Sequence, residues 1–206
     1  MHNISINCHS SICIRDNIYV DPFNIKEGIH NAEVVFITHD HFDHYDLESV
    51  RNVINEDSII VATMGVKEDL IRNGITCSVV SVLPNNKGYV NGVEYVSLPS
   101  YNIGHHHFKE LNYLAFLILI DGVRYFVCGD SDFIDEFKNI RCEVLLVPIG
   151  GTYTMNAKEA ASLANHIKPS LVIPTHYNFI EGTGNKDDER EFISNLDGID
   201  YRILIK

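Results

Sequence analysis

A chain of 206 residues with 45% hydrophobic content can bury a substantial core, and no low-complexity stretch or long linker divides it, so one domain over 1–206 is expected. Sixteen Lys and Arg against 28 Asp and Glu leave a net charge of -12, which weighs against a protein that grips nucleic acid through its general surface. The cysteines Cys8, Cys13, Cys77, Cys128 and Cys142 are odd in number and contain no Cys-x-x-Cys pair, which suggests neither a disulfide framework nor a zinc ribbon and points to a reducing compartment, the cytoplasm.

Met1-His2-Asn3-Ile4-Ser5-Ile6 has no basic start followed by a long apolar run, so neither a signal peptide nor a membrane anchor is expected. Short strands are predicted over 5–6, 12–15, 18–20 and 33–38. Asp46 is placed to cap a helix over 47–55, a strand follows over 59–62, and a second helix runs over 66–73 and stops at Gly74. Strands then dominate 77–128, with turns at Asn85-Asn86, Asn91-Gly92 and Asp121-Gly122. Within this stretch the apolar run 113–120 is too short to span a bilayer and reads as a core strand. A helical segment is expected over 133–138 and a strand over 144–148. Asn156 with Glu159 resembles a capping box for a helix reaching His166, ended by Pro169. A strand over 171–173, a helix over 187–195 and a last strand over 201–205 complete the pattern of a mixed α/β chain.

Thr38-His39-Asp40-His41-Phe42-Asp43-His44 carries three imidazoles and the Asp43 carboxylate just past a predicted strand. His39 and His41, two apart, point the same way in extended backbone and can share one ion, whereas Asp43 and His44 follow too closely and face a second. Imidazole nitrogen with carboxylate oxygen suits zinc, iron or manganese better than calcium. Further candidates sit past other predicted strands: His105-His106-His107, Asp130 after Tyr125-Phe126-Val127-Cys128-Gly129, and His176 within Ile173-Pro174-Thr175-His176-Tyr177-Asn178. Strand alternation allows at most two of the His105 to His107 triplet to face inward. Asp130 has a competing role, since Ser131 and Asp132 beside it are also helix-capping types.

This order of motifs resembles the metallo-beta-lactamase superfamily, and within it the ascorbate-6-phosphate lactonase-like group of small metal-dependent hydrolases. Local matches are Ile18-Tyr19-Val20-Asp21-Pro22-Phe23, Pro99-Ser100-Tyr101-Asn102, Gly129-Asp130-Ser131-Asp132, Pro148-Ile149-Gly150-Gly151-Thr152-Tyr153-Thr154-Met155 and Pro174-Thr175-His176-Tyr177. The resemblance implies a four-layer αββα sandwich, with His39, His41 and one of the triplet on a first metal, Asp43, His44 and His176 on a second, and Asp130 bridging. Counting along the family pattern favours His107 as the third ligand, with His105 as runner-up and His106 as solvated loop. His2, His9, His30 and His166 lack such support and read as surface or locally hydrogen-bonded, although His9, beside Ser10 and Ser11, stands where relatives also carry His.

The expected cofactors are two divalent ions, zinc first and manganese or iron as alternatives. Two such ions about 3.5 to 4 Å apart bring a bridging water to a pKa of about 7, giving hydroxide near neutral pH. The expected reaction is therefore hydrolysis of a small anionic ester, lactone or phosphodiester, with Asp43 also orienting the attacking water. The 150–154 loop reads either as an oxyanion-binding turn or as a tight turn feeding the next helix. Tyr101, Asn102, Tyr177 and Asn178 are candidate substrate contacts. Alternative readings are an iron-dependent redox enzyme on the same scaffold and a noncatalytic metal-binding protein. A small-molecule substrate is the expected partner, nucleic acid and membrane are not, and a homo-oligomer is left open.

Overall fold

The computed structural model describes residues 3–104 and 106–205. Strands β1 (Ile4–Ile6), β2 (Ile12–Ile14), β3 (Ile18–Val20), β4 (Val34–Phe36), β5 (Ile59–Ala62) and β6 (Ser78–Ser81) form one six-stranded sheet in that order. Strands β7 (Lys87–Val90), β8 (Val93–Pro99), β9 (Leu114–Ile120), β10 (Val123–Val127), β11 (Val144–Pro148) and β12 (Leu171–Thr175) form a second, ordered β12-β11-β10-β9-β8-β7. Helices α1 (Leu47–Val53) and α2 (Met64–Arg72) cover the outer face of the first sheet, and α3 (Ala157–Ile167) and α4 (Lys186–Ser194) that of the second. These are the four layers the resemblance implied.

Two short apolar faces cannot stay in water, so the sheets close on each other. Phe36 of β4 meets Phe116 of β9 at 4.9 Å and Tyr95 of β8 at 5.5 Å between ring centres, in a core shared by both sheets. Burying each such ring is worth about 1.5–3 kcal/mol. Turn chemistry sets the hairpins: Asn91-Gly92 and Asp121-Gly122 have positive φ at both residues, the backbone a two-residue hairpin requires. Asp46 caps α1 through Glu48 N, and Asn156 with Glu159 closes a full capping box on α3.

Local cues shift some predicted boundaries. Thr63 caps α2 through Val66 N, so the helix begins at Met64, two residues before its first buried apolar residue. Asn185 and Asp188 make a second capping box, which starts α4 at Lys186. The 133–138 segment is instead a 3-10 turn over Asp135–Asn139, since Asp132 accepts Ile103 N and Asn102 Nδ2 and no side chain caps the turn. Asp130 accordingly caps no helix. The predicted strand over 201–205 does not form: Tyr201 makes one parallel bridge to Val172. Beyond it Leu204 packs on the inter-sheet core and Ile205 on the outer one, which takes the chain off the sheet edge. Among the described residues, no helix is long and apolar enough to cross a membrane.

Strand direction decides where the functional side chains meet. β1, β3 and β4 run together in the first sheet, and β8, β10, β11 and β12 run together in the second. The C-terminal ends of all seven lie at one end of the sandwich, where Leu114 N bonds Thr38 O and His176 N bonds His9 O across the sheets.

Candidate metal centre

The first wall of this centre is the loop after β4, and one buried carboxylate braces it. Asp21, at the end of β3 and 1% exposed, accepts Thr38 N at 2.8 Å and the Thr38 hydroxyl at 2.7 Å. The same Asp21 Oδ2 lies 2.7 Å from His44 Nδ1. With Nδ1–H donated to Asp21, the neutral His44 ring carries its lone pair on Nε2, which points inward. His39 is set similarly, its Nδ1 lying 2.9 Å from Thr38 Oγ1, whose own proton goes to Asp21. Backbone bonds from His44 N and Tyr45 N to His41 O close the turn that brings Asp43 and His44 round to the site.

The second wall comes from the second sheet. Gly129 has φ of 61° and a Cβ there would lie 2.7 Å from Leu114 O, so glycine is needed to turn Asp130 inward from the end of β10. Gly150, after β11, lies so near the His176 loop that a Cβ would be 2.6 Å from His176 O. His176 itself holds φ of 59°, a left-handed conformation that costs free energy in a non-glycine residue. His107 is fixed by Asn102, whose Oδ1 accepts His107 N at 3.1 Å and whose own N donates to His107 O at 2.8 Å.

Between the walls, Asp130 Oδ1 is 3.1 Å from His44 Nε2, and Oδ2 is 3.2 Å from His176 Nε2 and 3.8 Å from His39 Nε2. Asp43 Oδ2 lies 3.1 Å from His9 Nε2, 3.6 Å from His176 Nε2 and 3.7 Å from His44 Nε2. Ligand-type atoms converge within 4.8 Å in three sets: His9, Asp43, His44 and His176; His39, His44 and Asp130; and His41, His107 and Asp130. All seven sequence-proposed residues, His39, His41, Asp43, His44, His107, Asp130 and His176, thus share one site. Asp130 faces histidines from both sheets. His105, the runner-up to His107, lies outside the described residues, as does His2. His106 is exposed and packs on Tyr153. His30 and His166 bond the backbone oxygens of Ile54 and Lys138, as local histidines do.

The donor set fits a metal. Buried His39 Nε2, His44 Nε2, His176 Nε2 and Asp130 Oδ1 have no aligned hydrogen-bond partner, close as some of them lie to one another. Leaving one buried polar atom unsatisfied costs about 1–3 kcal/mol, so several at one point make sense as metal ligands. Burial would push the Asp130 carboxyl up, but His176 and His44 outweigh it and hold the group well below the usual range. Asp43 is likewise kept ionised against burial by His176 and His9. Burial keeps His39 neutral by lowering its pKa. In His44 the burial penalty is overcome by Asp130 and Asp21, which raise it.

Several contributors were not assigned a role by sequence reasoning. His9 is fully buried and belongs to the Asp43 set; burial lowers its pKa to about 4. Its signal was a histidine with two serines in the tight turn after the first strand. Asp21 and Thr38 carry no spacing signal of their own. Tyr113 stands 4.7 Å from the His39 ring, with its hydroxyl 3.5 Å from His41 Nε2. Other candidates are used elsewhere: the Tyr101 hydroxyl bonds Glu136, and that of Tyr177 bonds Glu189 on α4. Asn102 braces His107 and also donates to Asp132 and to Tyr153 O. Asn178 N bonds Gly184 O within its own loop. The Gly151 N–H is spent on Thr154 Oγ1 and Met155 O, which makes 150–154 a turn feeding α3.

A cavity of 330 Å³ opens onto the centre, lined by His41, Phe42, Asp43, Asp130, Tyr153, Ile180 and Thr183. Among the described residues its lining holds no Lys or Arg, so the anionic substrate expected from the sequence meets no cationic side chain there beyond the histidine of the centre.

A family profile described as a beta-lactamase superfamily domain matches residues 4–176. A metal-dependent hydrolase from Thermococcus onnurineus is 30% identical over 183 residues, covering 78% of this chain and 77% of its own. A solved structure described as a metal-dependent hydrolase, from Parabacteroides distasonis, superposes with a TM-score of 0.79 at 22% identity, over 100% of this chain and 94% of that one. A metallo hydrolase from Ignicoccus hospitalis gives 0.77 at 20% identity, over 99% and 95%.

Proposed function

The chain belongs to the beta-lactamase superfamily, and from that premise we propose that it is a binuclear metal-dependent hydrolase of a small ester, lactone or phosphodiester. Relatives named as metal-dependent hydrolases over most of the chain support the hydrolase class. The observation that carries the reading is the convergence of buried, unpartnered His39 Nε2, His44 Nε2, His176 Nε2 and Asp130 Oδ1 beside an open cavity.

In this reading His39, His41 and His107 hold one ion, Asp43, His44 and His176 hold the other, and Asp130 serves both. His9 supports the second set through Asp43. Two bound divalent ions, zinc first with manganese or iron as alternatives, supply a Lewis acid for the scissile oxygen and make water acidic enough to serve as nucleophile near neutral pH.

The protein's own contribution is position. Asp21 and Thr38 fix the tautomers of His44 and His39, so that each presents Nε2 without rearrangement. Asp43, kept as carboxylate by His176 and His9, is placed to accept a hydrogen bond at Oδ2 from an attacking water. Phe42, Tyr153 and Ile180 wall the approach on its apolar side. No side-chain nucleophile is required.

The test is turnover of a panel of simple esters, lactones and phosphodiesters by metal-loaded protein. Hydrolysis of at least one class, abolished by chelator and by His39→Ala or Asp130→Ala, is the expected result. Retention of metal with no turnover anywhere on the panel would instead favour a noncatalytic metal-binding protein.

A further inference from the structure

Past the ligands, the cavity wall consists of Phe42, Tyr153, Ile180 and Thr183, whose hydroxyl is spent on Ile180 O. Phe42 is 68% exposed and Phe179 47% exposed, although large apolar side chains gain by burial and neither packs into the cores. Phe23 joins them, its ring 6.1 Å from Phe42 and 5.9 Å from Phe179, so an aromatic rim continues from the cavity across the loop after β12. The next depression, of 540 Å³, shares Ile180 and adds Phe179, Glu181 and Asp188, again with no Lys or Arg among the described residues. A carboxylate or phosphate on the far part of a substrate would therefore gain no cation from either lining. It would face Glu181 and Asp188 on a chain of net charge -12.

Resting on the hydrolase reading above, we propose that the part of the substrate remote from the scissile bond is uncharged and apolar, an alkyl or aryl group seated on Phe42, Tyr153 and Ile180. The metal end handles the reacting atoms; the aromatic rim selects what is attached to them. The cavity size falls at the lower end of small-ligand pockets, about 300–1,000 Å³, which suits one ring or a short alkyl chain.

The test uses 4-nitrophenyl esters that share one leaving group and differ only at the far end of the acyl chain: hexanoate, 4-phenylbutanoate and the singly charged adipate monoester. For metal-loaded protein, kcat/KM for the two neutral esters should exceed that for the adipate monoester about tenfold or more. Phe42→Ala and Ile180→Ala should each cut the phenylbutanoate value several-fold, mainly through KM, and Ile180→Lys should shift preference toward adipate. Equal or faster turnover of the adipate ester by the unmutated protein overturns the proposal.

Binding without reaction provides a second readout. In saturation-transfer NMR on metal-free protein, hexanamide and 4-phenylbutanamide should receive saturation that Phe42→Ala and Ile180→Ala weaken, whereas the matched anion adipamate should receive little. Saturation of adipamate equal to hexanamide, or none of either neutral amide, also overturns it. If no ester, lactone or phosphodiester turns over but the neutral amides still bind selectively, the hydrolase reading falls and the pocket assignment stands; ester turnover without apolar preference gives the reverse.

Discussion

Where β4, β10 and β12 finish, His39, His44, Asp130 and His176 are buried with ligand atoms that find no aligned partner. At the opposite end of the same strands, polar groups are matched to one another. Arg124, entering β10, donates to Glu143 through N, Nε and Nη2 at 2.6 to 3.1 Å. Asn91 Nδ2 ties the turn between β7 and β8 to Glu33 O and Asp57 O, and Arg15 reaches Asp121. One end pairs most of its polar groups with one another, Asn17 Oδ1 excepted, whereas the other gathers several unpartnered nitrogens and oxygens at a single point. Binding sites commonly give up local stability in this way, and the surrounding core compensates.

This contrast can be broken in order of size. Phe116→Ala opens the core between the sheets and should cost about 3–5 kcal/mol in denaturant unfolding. His41→Ala, at the half-buried edge of the site, should leave metal-free unfolding within about 0.5 kcal/mol while severely weakening metal binding. If His41→Ala unfolds the metal-free chain as Phe116→Ala does, the site is part of the structural core and the contrast fails.

A smaller effect sharpens the comparison from the supporting shell. Asp21→Asn keeps the shape but weakens the acceptor for His44 Nδ1 and Thr38, and metal affinity should fall about 10–100-fold, as read by competition with a chromogenic chelator. Unchanged affinity would mean that Asp21 only fills space.

The smallest effect belongs to the far end. Hydrogen bonds from Arg124 hold Glu143 at about 2, below its usual range. A group whose folded pKa is depressed contributes stability that is present above its unfolded value of about 4.3 and is lost as pH falls through the folded value. Glu143→Gln should therefore lower stability at pH 6 by less than about 1 kcal/mol, the range for a partly exposed pair, and the difference should shrink between about pH 4 and 2. A gap that widens on acidification would contradict the assignment.

Much of this was legible in the chain because the signals are local. His39-x-His41-x-Asp43-His44 compresses four candidate ligands into one loop, and Asn91-Gly92, Asp121-Gly122 and Asn156 with Glu159 announce their turns and cap by residue type. His9, Asp21 and Tyr113 were less legible since their roles depend on which strand ends meet across the two sheets, a relation that leaves no spacing in sequence. Tyr101 and Tyr177 show the converse. Each sits beside a site residue in the chain but points its hydroxyl at a glutamate elsewhere. The 201–205 strand failed because alternation gives a strand's face and not whether a sheet edge is there to receive it.

The most direct measurement is elemental analysis of protein purified without chelator or tag-derived metal, then reconstituted in turn with zinc, manganese and iron. About two transition-metal ions per chain, reduced in Asp130→Ala and in His176→Ala, is the expected result. Failure of the unmutated protein to retain any of the three metals would contradict the metal centre and, with it, the hydrolase.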